Sequence, residues 1–424
     1  MTDGTLSQDS GTKNALYMAI ELSSSVWLLA FSDGTTRKPR RKRIDACDVD
    51  ALEREIASAK SKLGLADTCD VVSCYEAGRD GFWLHRALTD RGITNVVVDA
   101  SSILVDRRQR RAKTDGLDVE SLLHMLIRFH LGDRNVWRTV HVPSAEDEDA
   151  RRLTRERERL KKEVTQLRNR IFGLLATQGL KVEPDRLKAF LERSPHSRDG
   201  RPMGNALVGE LSRMLERLDV LLNQLKAIND AQMRDLRELA TKDGRIEKVA
   251  RLMCLGGIGV QGAWILVMEF FGWRQFRNRR EVGALAGLTG TPYNSGSGVR
   301  EQGISKAGNK RIRRLAVELA WLWLRHQPES ALSKWFVSRW GNQGVRSKKV
   351  GVVALARKLL VALWHYLEYG VVPDGAKMSP SRGLPAEVIA KLLGDEARHG
   401  ARSSAQIEGT KAIAAPGLVQ SAVA

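Results

Sequence analysis

Leu16-Tyr17-Met18-Ala19-Ile20-Glu21, with Val26-Trp27-Leu28-Leu29-Ala30-Phe31 and Val71-Val72-Ser73-Cys74-Tyr75-Glu76 after it, is the stretch on which the fold turns. Each is a short apolar run rich in β-branched or aromatic residues, the composition of a buried strand, and Val96 to Val98 adds a fourth. Between these runs, Val49 to Leu63 and Gly81 to Arg91 place apolar residues at helical spacing. Residues 15–135 therefore read as an α/β domain, a sheet flanked by helices. Glu21 and Glu76 each follow an apolar run, where strands end and side chains gather at one sheet edge.

Downstream the pattern changes. Over residues 144–240 the chain is long, charged and helical: Leu153, Leu160, Val164, Leu167, Ile171 and Leu174 step by heptad intervals, and Leu211, Leu215, Leu218, Leu222 and Leu225 do the same. Turn-forming residues from Ser194 to Gly204 join the two stretches, so an antiparallel coiled-coil hairpin is expected, closing on itself or on another chain. Residues 245–370 form a third, mostly helical body. It opens with two helical patterns joined by Leu255-Gly256-Gly257-Ile258-Gly259, a spacing that suits either a helix-hairpin-helix donating backbone N–H groups to a phosphate or an ordinary tight turn. Residues 1–14 read as a polar extension, and residues 371–424, rich in Pro, Gly, Ser and Ala, as a disordered tail with one short helix at Ala386 to Leu393.

Lys and Arg number 69 against 50 Asp and Glu, a net charge of +19 over 424 residues, which points to a polyphosphate partner through Coulomb attraction and counterion release. A membrane partner would call for an anchor, yet Leu315 to Leu324 and Val350 to Leu367 carry Glu318, Arg357 and Lys358 and read as amphipathic helices. Met1 to Asn14 has no signal-peptide core, and Cys47, Cys69, Cys74 and Cys254 fit neither a disulfide framework nor a zinc site. The expectation is a cytoplasmic, nucleoid-associated protein without a membrane.

Asp115 and Asp118, three apart, share a helix face and can join Glu21 and Glu76 as hard oxygen ligands for a magnesium-type ion facing DNA. The same spacing also suits an N-cap and a first-turn acid favoured by the helix dipole. Basic runs surround these acids: Arg37 to Arg43; Arg107, Arg108, Arg110 and Arg111 with Lys113; and Arg274 to Arg280, with Trp273 and Phe276 interleaved. Each is a candidate phosphate contact or a solvated face. Ser295 lies in a glycine-rich turn, followed by Lys306, Lys310, Arg311, Arg313 and Arg314 at a helix start. Such a hydroxyl either bonds its own backbone or attacks a phosphodiester held by those cations.

Tyr75-Glu76-Ala-Gly, Lys113-Thr-Asp115-Gly-Leu-Asp118, Leu255-Gly-Gly-Ile-Gly259, Ala286-Gly-Leu through Ser295-Gly and Gly303-Ile-Ser-Lys-Ala-Gly-Asn occur in an order and spacing that resemble the IS110/IS1111-type transposases. The resemblance runs from about Tyr17 to Leu367. It implies a RuvC-like, RNase H-fold N-terminal domain, a coiled-coil middle and a C-terminal transposase domain. It places a DEDD metal set on Glu21, Glu76, Asp115 and Asp118, binding Mg2+ or Mn2+, and the nucleophile on Ser295. The family carries Asp where this chain has Glu21. The resemblance further implies donor and target DNA, a noncoding bridge RNA, and composite sites in a homo-oligomer, a dimer or a tetramer. Lys113, Arg107, Arg108, Arg110, Arg111, Gly257, Gly259, Lys306, Lys310, Arg311, Arg313 and Arg314 are the candidate nucleic-acid contacts.

The expected activity is cutting and rejoining of insertion-sequence DNA through a phosphoserine intermediate. Two other readings remain open on the residues: a metal-dependent nuclease or junction resolvase using water, with Ser295 a loop residue, and a basic coiled-coil protein that organises DNA without catalysis. Ser297 and Ser305 are alternative nucleophiles.

Overall fold

The computed structural model describes residues 15–35, 38–103, 115–295, 298–378, 384 and 388–390; within these, the side chains of residues 115, 117 and 292–302 are not described. The chain divides into two compact units after Ser144.

In the first unit β1 (Leu16–Glu21), β2 (Val26–Ser32) and β3 (Arg40–Asp45) precede α1 (Val49–Leu63), β4 (Val71–Glu76), α2 (Trp83–Asp90), β5 (Thr94–Val98) and α3 (Asp115–His130). The strands form one sheet in the order β3-β2-β1-β4-β5. β1 pairs antiparallel with β2 and parallel with β4, so the sheet is mixed, an arrangement consistent with an RNase H-like domain. Strand alternation sorts the side chains. Leu16, Met18 and Ile20 face α1 and α2, packing with Leu52, Ile56, Leu84 and Leu88. Tyr17 and Ala19 face the other way, with Val72 and Cys74, against Val119, Leu122, Leu123 and Leu126 of α3. Each such buried aliphatic side chain contributes about 1.5–3 kcal/mol. Val136 and Trp137 also belong to this core, and Val140 N–H bonds the Val97 carbonyl at 2.8 Å, so the unit runs past the expected boundary at residue 135.

Arg40 to Arg43 of the basic run have a structural role that their charge conceals, while Arg37 lies outside the described residues. Residues 40–45 are the edge strand β3, and their alternation sends Arg40 to Glu55 of α1 at 2.7 Å and Arg41 to Glu120 of α3 at 3.3 Å. An edge of exposed Lys and Arg resists pairing with a further strand, which accounts for a strand with almost no apolar residue.

The second unit contains α4 (Ala145–Ala150), α5 (Arg152–Thr177), α6 (Pro184–Leu191), α7 (Asn205–Leu239), α8 (Gly244–Met253), α9 (Val260–Leu266) and α10 (Arg279–Leu285). They are followed by β6 (Gly290–Ser295), β7 (Gly298–Ile304), α11 (Lys310–His326), α12 (Ala331–Trp340) and α13 (Val345–Tyr369). α5 and α7 lie antiparallel: Ile171 and Leu175 share a core with Leu211 and Leu215, while Arg157 Nε bonds Asn229 Oδ1 at 2.8 Å. The helical hairpin is not a body apart from the C-terminal one. Leu236 and Ala240 enter the C-terminal core, and Arg155 grips the buried Glu269 through two hydrogen bonds of 2.6 and 2.9 Å.

α13 is long and apolar enough to cross a membrane by length and composition, but Leu355, Leu359, Leu363 and Trp364 are buried in the C-terminal core, where it is the central helix. The segment after it does not leave the body at once, as a disordered tail from residue 371 would. Met378 bridges Leu255, and the Gln327 side chain donates to the Lys377 carbonyl at 2.8 Å and accepts from its N–H at 2.7 Å. Residues 388–390 are helical and Leu384 and Val388 are buried; residues 391–424 lie outside the described residues.

Candidate functional site

Two places carry the candidate chemistry, one in each unit. In the first, β1 and β4 are parallel neighbours in register, Ile20 opposite Tyr75, so Glu21 and Glu76 leave the same edge of the sheet side by side. Both follow residues that face α1 and α2, so both fall on the face covered by α3. α3 runs back along that face: at its end His130 Nδ1 lies 2.9 Å from the Tyr17 hydroxyl at the start of β1, and the Leu122 carbonyl accepts from the Cys74 thiol in mid-strand. Its first turn, with Asp115 and the half-buried Asp118, is thereby carried toward the end where Glu21 and Glu76 emerge. Burial pushes the Cys74 thiol well above its ordinary value, and the Glu76 carboxylate adds to that shift.

Carboxylate oxygens are the donors that a hard divalent ion takes, and Glu21, Glu76 and Asp118 supply them from two strand ends and one helix turn. Among the described residues no three acids, histidines or cysteines stand close enough to hold a metal, and the Asp115 side chain lies outside that description. Arg107, Arg108, Arg110, Arg111 and Lys113 lie outside the described residues.

The second place is the β6–β7 hairpin. The glycine-rich turn expected around Ser295 is the tip of two paired strands: Gly290 faces Ile304 at the base and Ser295 faces Gly298 at the tip. The base is fixed by backbone bonds from Ser305 N–H to Thr289 O at 2.8 Å, Lys306 N–H to Gly287 O at 3.2 Å and Asn309 N–H to Leu285 O at 2.8 Å. Gly308 makes this approach possible. Its φ is +101° and a Cβ there would stand 2.3 Å from the Leu285 carbonyl oxygen. Asn309 then caps α11, its Oδ1 accepting from Arg311 and Ile312 N–H at 3.0 and 3.2 Å.

The cations at this helix start divide by role. Lys306 and Lys310 are exposed. Arg313 donates to the Lys306 carbonyl at 2.8 Å and to the Ala286 carbonyl at 3.4 Å, tying the helix to the hairpin base. Arg311 pairs with Glu158 at 2.6 Å and Arg314 with Glu318 at 3.2 Å, pairings that a phosphate would have to displace.

The glycine turn between α8 and α9 is clamped. Gly257 has φ +94°, and a Cβ there would stand 3.2 Å from His326 Cβ and 3.3 Å from the Leu322 carbonyl. The Gly256 N–H is taken by the Lys377 carbonyl and the Ile258 N–H by the Leu255 carbonyl, so packing of the turn against α11 accounts for these glycines; Gly259 is the N-cap of α9. In the aromatic–basic run, Arg151 and Arg274 stand over the Trp273 ring at 4.8 and 4.1 Å, and burial lowers the Arg274 guanidinium to about 10. Half of the predicted aromatic–basic run is thus spent on packing.

Residues 249–334, which include the hairpin and α11, match the family described as Transposase IS116/IS110/IS902. Over 377 residues the chain is 41% identical to “Putative transposase y4rJ” of Sinorhizobium fredii, covering 86% of this chain and 94% of that protein. The chain belongs to the IS110 family of transposases. A family relative, the transposase for insertion sequence element IS1111A of Coxiella burnetii, is 30% identical over 54% of this chain and 61% of its own length. The transposase for IS1533 of Leptospira borgpetersenii is 24% identical over 83% and 95%. Sequence reading passed over Arg279, Arg280, Trp335, Arg357 and Lys358 as a group, since they lie far apart in the chain and meet through α10, α12 and α13.

Proposed function

We propose that this transposase cuts and rejoins DNA by serine chemistry, with Ser295 as nucleophile and the acidic edge of the first unit as its partner in a homo-oligomer. The observation that carries the reading is the placement of Ser295 at the tip of a hairpin whose base is bonded to a helix start bearing Lys306 and Lys310. A hydroxyl at a tip can reach a phosphodiester, and the lysines behind it attract and orient the flanking phosphates.

In the proposed step the Ser295 Oγ–H gives its proton to a base at the acidic edge, the Oγ–P bond forms, and the P–O bond to one side of the DNA breaks. That oxygen takes up a proton and leaves as a free hydroxyl. Because the phosphate stays esterified to serine, the bond energy is retained, and attack by the hydroxyl of another strand rejoins DNA without hydrolysis. Glu21, Glu76, Asp115 and Asp118 would hold a magnesium- or manganese-type ion, which supplies charge neutralisation at the phosphate when bound. Glu21 reaches one methylene further than the aspartate of the family, a difference a rotamer change absorbs. A noncoding bridge RNA completes the proposal on the strength of the family resemblance, and it fits a chain with so large a positive charge.

The test is a covalent adduct. Full-length protein is incubated with RNA, donor and target DNA and Mg2+, denatured, and examined for DNA attached to protein. The adduct is expected in the native chain and in Ser297→Ala, and is lost in Ser295→Ala. Metal-dependent cleavage without any adduct would establish the water-using nuclease instead, and binding without cleavage the architectural reading.

A further inference from the structure

At the base of the β6–β7 hairpin the structure holds a cavity of about 910 Å3 between α10, α12 and α13. Leu288, Leu332 and Val361 make an apolar wall beside the half-buried Trp335. Arg279, Arg280, Lys306, Arg357 and Lys358 surround it, and no Asp or Glu is among the lining residues. The strand side of the cavity is formed by Gly290, Gly303 and Ile304, so the hairpin base presents mostly backbone there.

An apolar chamber ringed by five cations, with no acid among its described lining residues, suits a ligand that is anionic outside and flat and weakly polar inside. Solvent alone is a poor occupant of such a wall, and an uncharged apolar ligand would leave the cations unused. Lys358 Nζ stands 4.5 Å over the Trp335 ring, and Trp340 meets that indole edge-on at 5.0 Å between centroids, so the ring is held in place instead of free to turn. A held indole beside Lys and Arg is the combination that stacks a nucleobase while neutralising its phosphates.

We infer that this cavity receives an unpaired nucleotide of the DNA strand on which Ser295 acts. The identity of the strand rests on the serine reading above. From Gly290 at the base to Ser295 at the tip the strand advances roughly 17 Å at a rise of about 3.4 Å per residue. DNA at about 3.4 Å per nucleotide along one strand spans that length in about five nucleotides, so the captured base lies no further than that from the attacked phosphate. Holding one base out of the stack in this way keeps the duplex open near the serine and fixes the register of the strand.

The test uses the full chain, with fluorescence anisotropy on a labelled single-stranded oligodeoxynucleotide, the blunt duplex of the same sequence, and the matching oligoribonucleotide. Ala354→Trp fills the cavity from α13, Trp335→Leu removes the stacking face, and Lys358→Ala, at an exposed position, removes one rim charge. Thermal unfolding reports whether each variant is folded. Ala354→Trp and Trp335→Leu are expected to weaken single-stranded DNA binding about tenfold with duplex binding unchanged. Lys358→Ala is expected to reduce the slope of log K against log salt for single strands by about 0.7.

Unchanged single-strand affinity in the folded variants would overturn the inference, as would an equal loss on the duplex. A loss on RNA with none on DNA would reassign the cavity away from DNA, and a dimer that dissociates in Ala354→Trp with oligonucleotide affinity intact would assign it to a second copy of the chain. Should Trp335→Leu disturb folding, Ala354→Trp and Lys358→Ala decide. Because the readout is binding, Ser295→Ala keeps the cavity effect. A surviving cavity effect without any adduct in the native chain removes only the serine reading, and an adduct with no cavity effect removes only this one.

Discussion

Glu21 and Glu76 end strands that are buried along their whole preceding length, inside a sheet covered by helices on both faces. Ser295 ends a strand in a two-stranded hairpin whose partner is its own continuation. A sheet of that first kind fixes a side chain through dozens of dispersion contacts, so the position of the acids is the by-product of a core that must form anyway. A two-stranded hairpin is marginal by itself, and this one is positioned from its base, by a few backbone bonds and a glycine that lets two segments meet. The acids should therefore tolerate change in their surroundings and little change in themselves, whereas the serine should be sensitive to substitutions at a distance.

The largest effect expected on the acidic side is chemical. Asp118→Ala should reduce strand exchange at least a hundredfold while leaving DNA affinity within about twofold, since the residue sits at the acidic edge and not in the core. Glu76→Gln, which keeps size and loses charge, should act in the same direction. Exchange and gel-shift assays on the same preparations give both numbers, and unimpaired exchange in Asp118→Ala would remove the acidic edge from the mechanism.

On the serine side the comparison predicts an equally severe effect from a residue with no chemistry. Gly308→Ala forces a Cβ against the Leu285 carbonyl, 2.3 Å away, at a φ of +101°. The cost is about 3 kcal/mol, which the hairpin base can relieve by giving up its bonds. Adduct formation should fall more steeply than thermal stability. If Gly308→Ala lowers the unfolding midpoint and leaves the adduct untouched, the hairpin is not positioned from its base.

The same contrast explains what was legible in the sequence. β1, β2, β4 and α1 follow directly from apolar runs and helical spacing, because each is defined by what it buries. β3 is hidden, since an edge strand reading Arg40-Arg41-Lys42-Arg43-Ile44-Asp45 buries almost nothing and takes its shape from β2 and from the ion pairs of Arg40 and Arg41. β6 and β7 are hidden for a related reason: glycines and polar residues carry no period, and pairing between the two segments is what makes them strands. The side-by-side exit of Glu21 and Glu76 was readable once both were placed at strand ends. The cationic cavity was not, because its residues come from separate helices whose crossing no local pattern encodes. The glycines at 256 and 257 illustrate the limit of local pattern: the spacing suits phosphate binding or a tight turn, and packing against α11 and residue 377 is by itself enough to call for them.

A milder perturbation of the serine side is Asn309→Ala. It removes the cap on α11 and the bond from Nδ2 to the Glu269 carbonyl at 3.3 Å, and should cost about 1 kcal/mol in chemical denaturation. Adduct formation should fall severalfold because the cap adjoins the hairpin base. An adduct yield equal to the native one at full occupancy would place the cap outside the positioning of Ser295.

The smallest expected effect lies on the acidic side, where the core should respond as a whole. Ser73 Oγ donates to Asn95 Oδ1 at 2.8 Å, and with Oδ1 so occupied the Asn95 amide N–H points to His85 Nδ1 at 2.9 Å, which must accept and so be unprotonated. Burial, helped by Arg86, holds His85 below its ordinary value of 6.5. The unfolded chain then takes up a proton at a higher pH than the folded one, so the contribution to stability is complete above about pH 6.5 and is lost as pH falls from there through the folded value. Native thermal midpoints should decline over that acid range by an amount worth less than about 1 kcal/mol, and His85→Gln should flatten that part of the profile. A decline of the same size in His85→Gln would mean that the acid sensitivity arises at other groups, and that this chain of side-chain hydrogen bonds adds little to the backbone ladder joining β4 and β5.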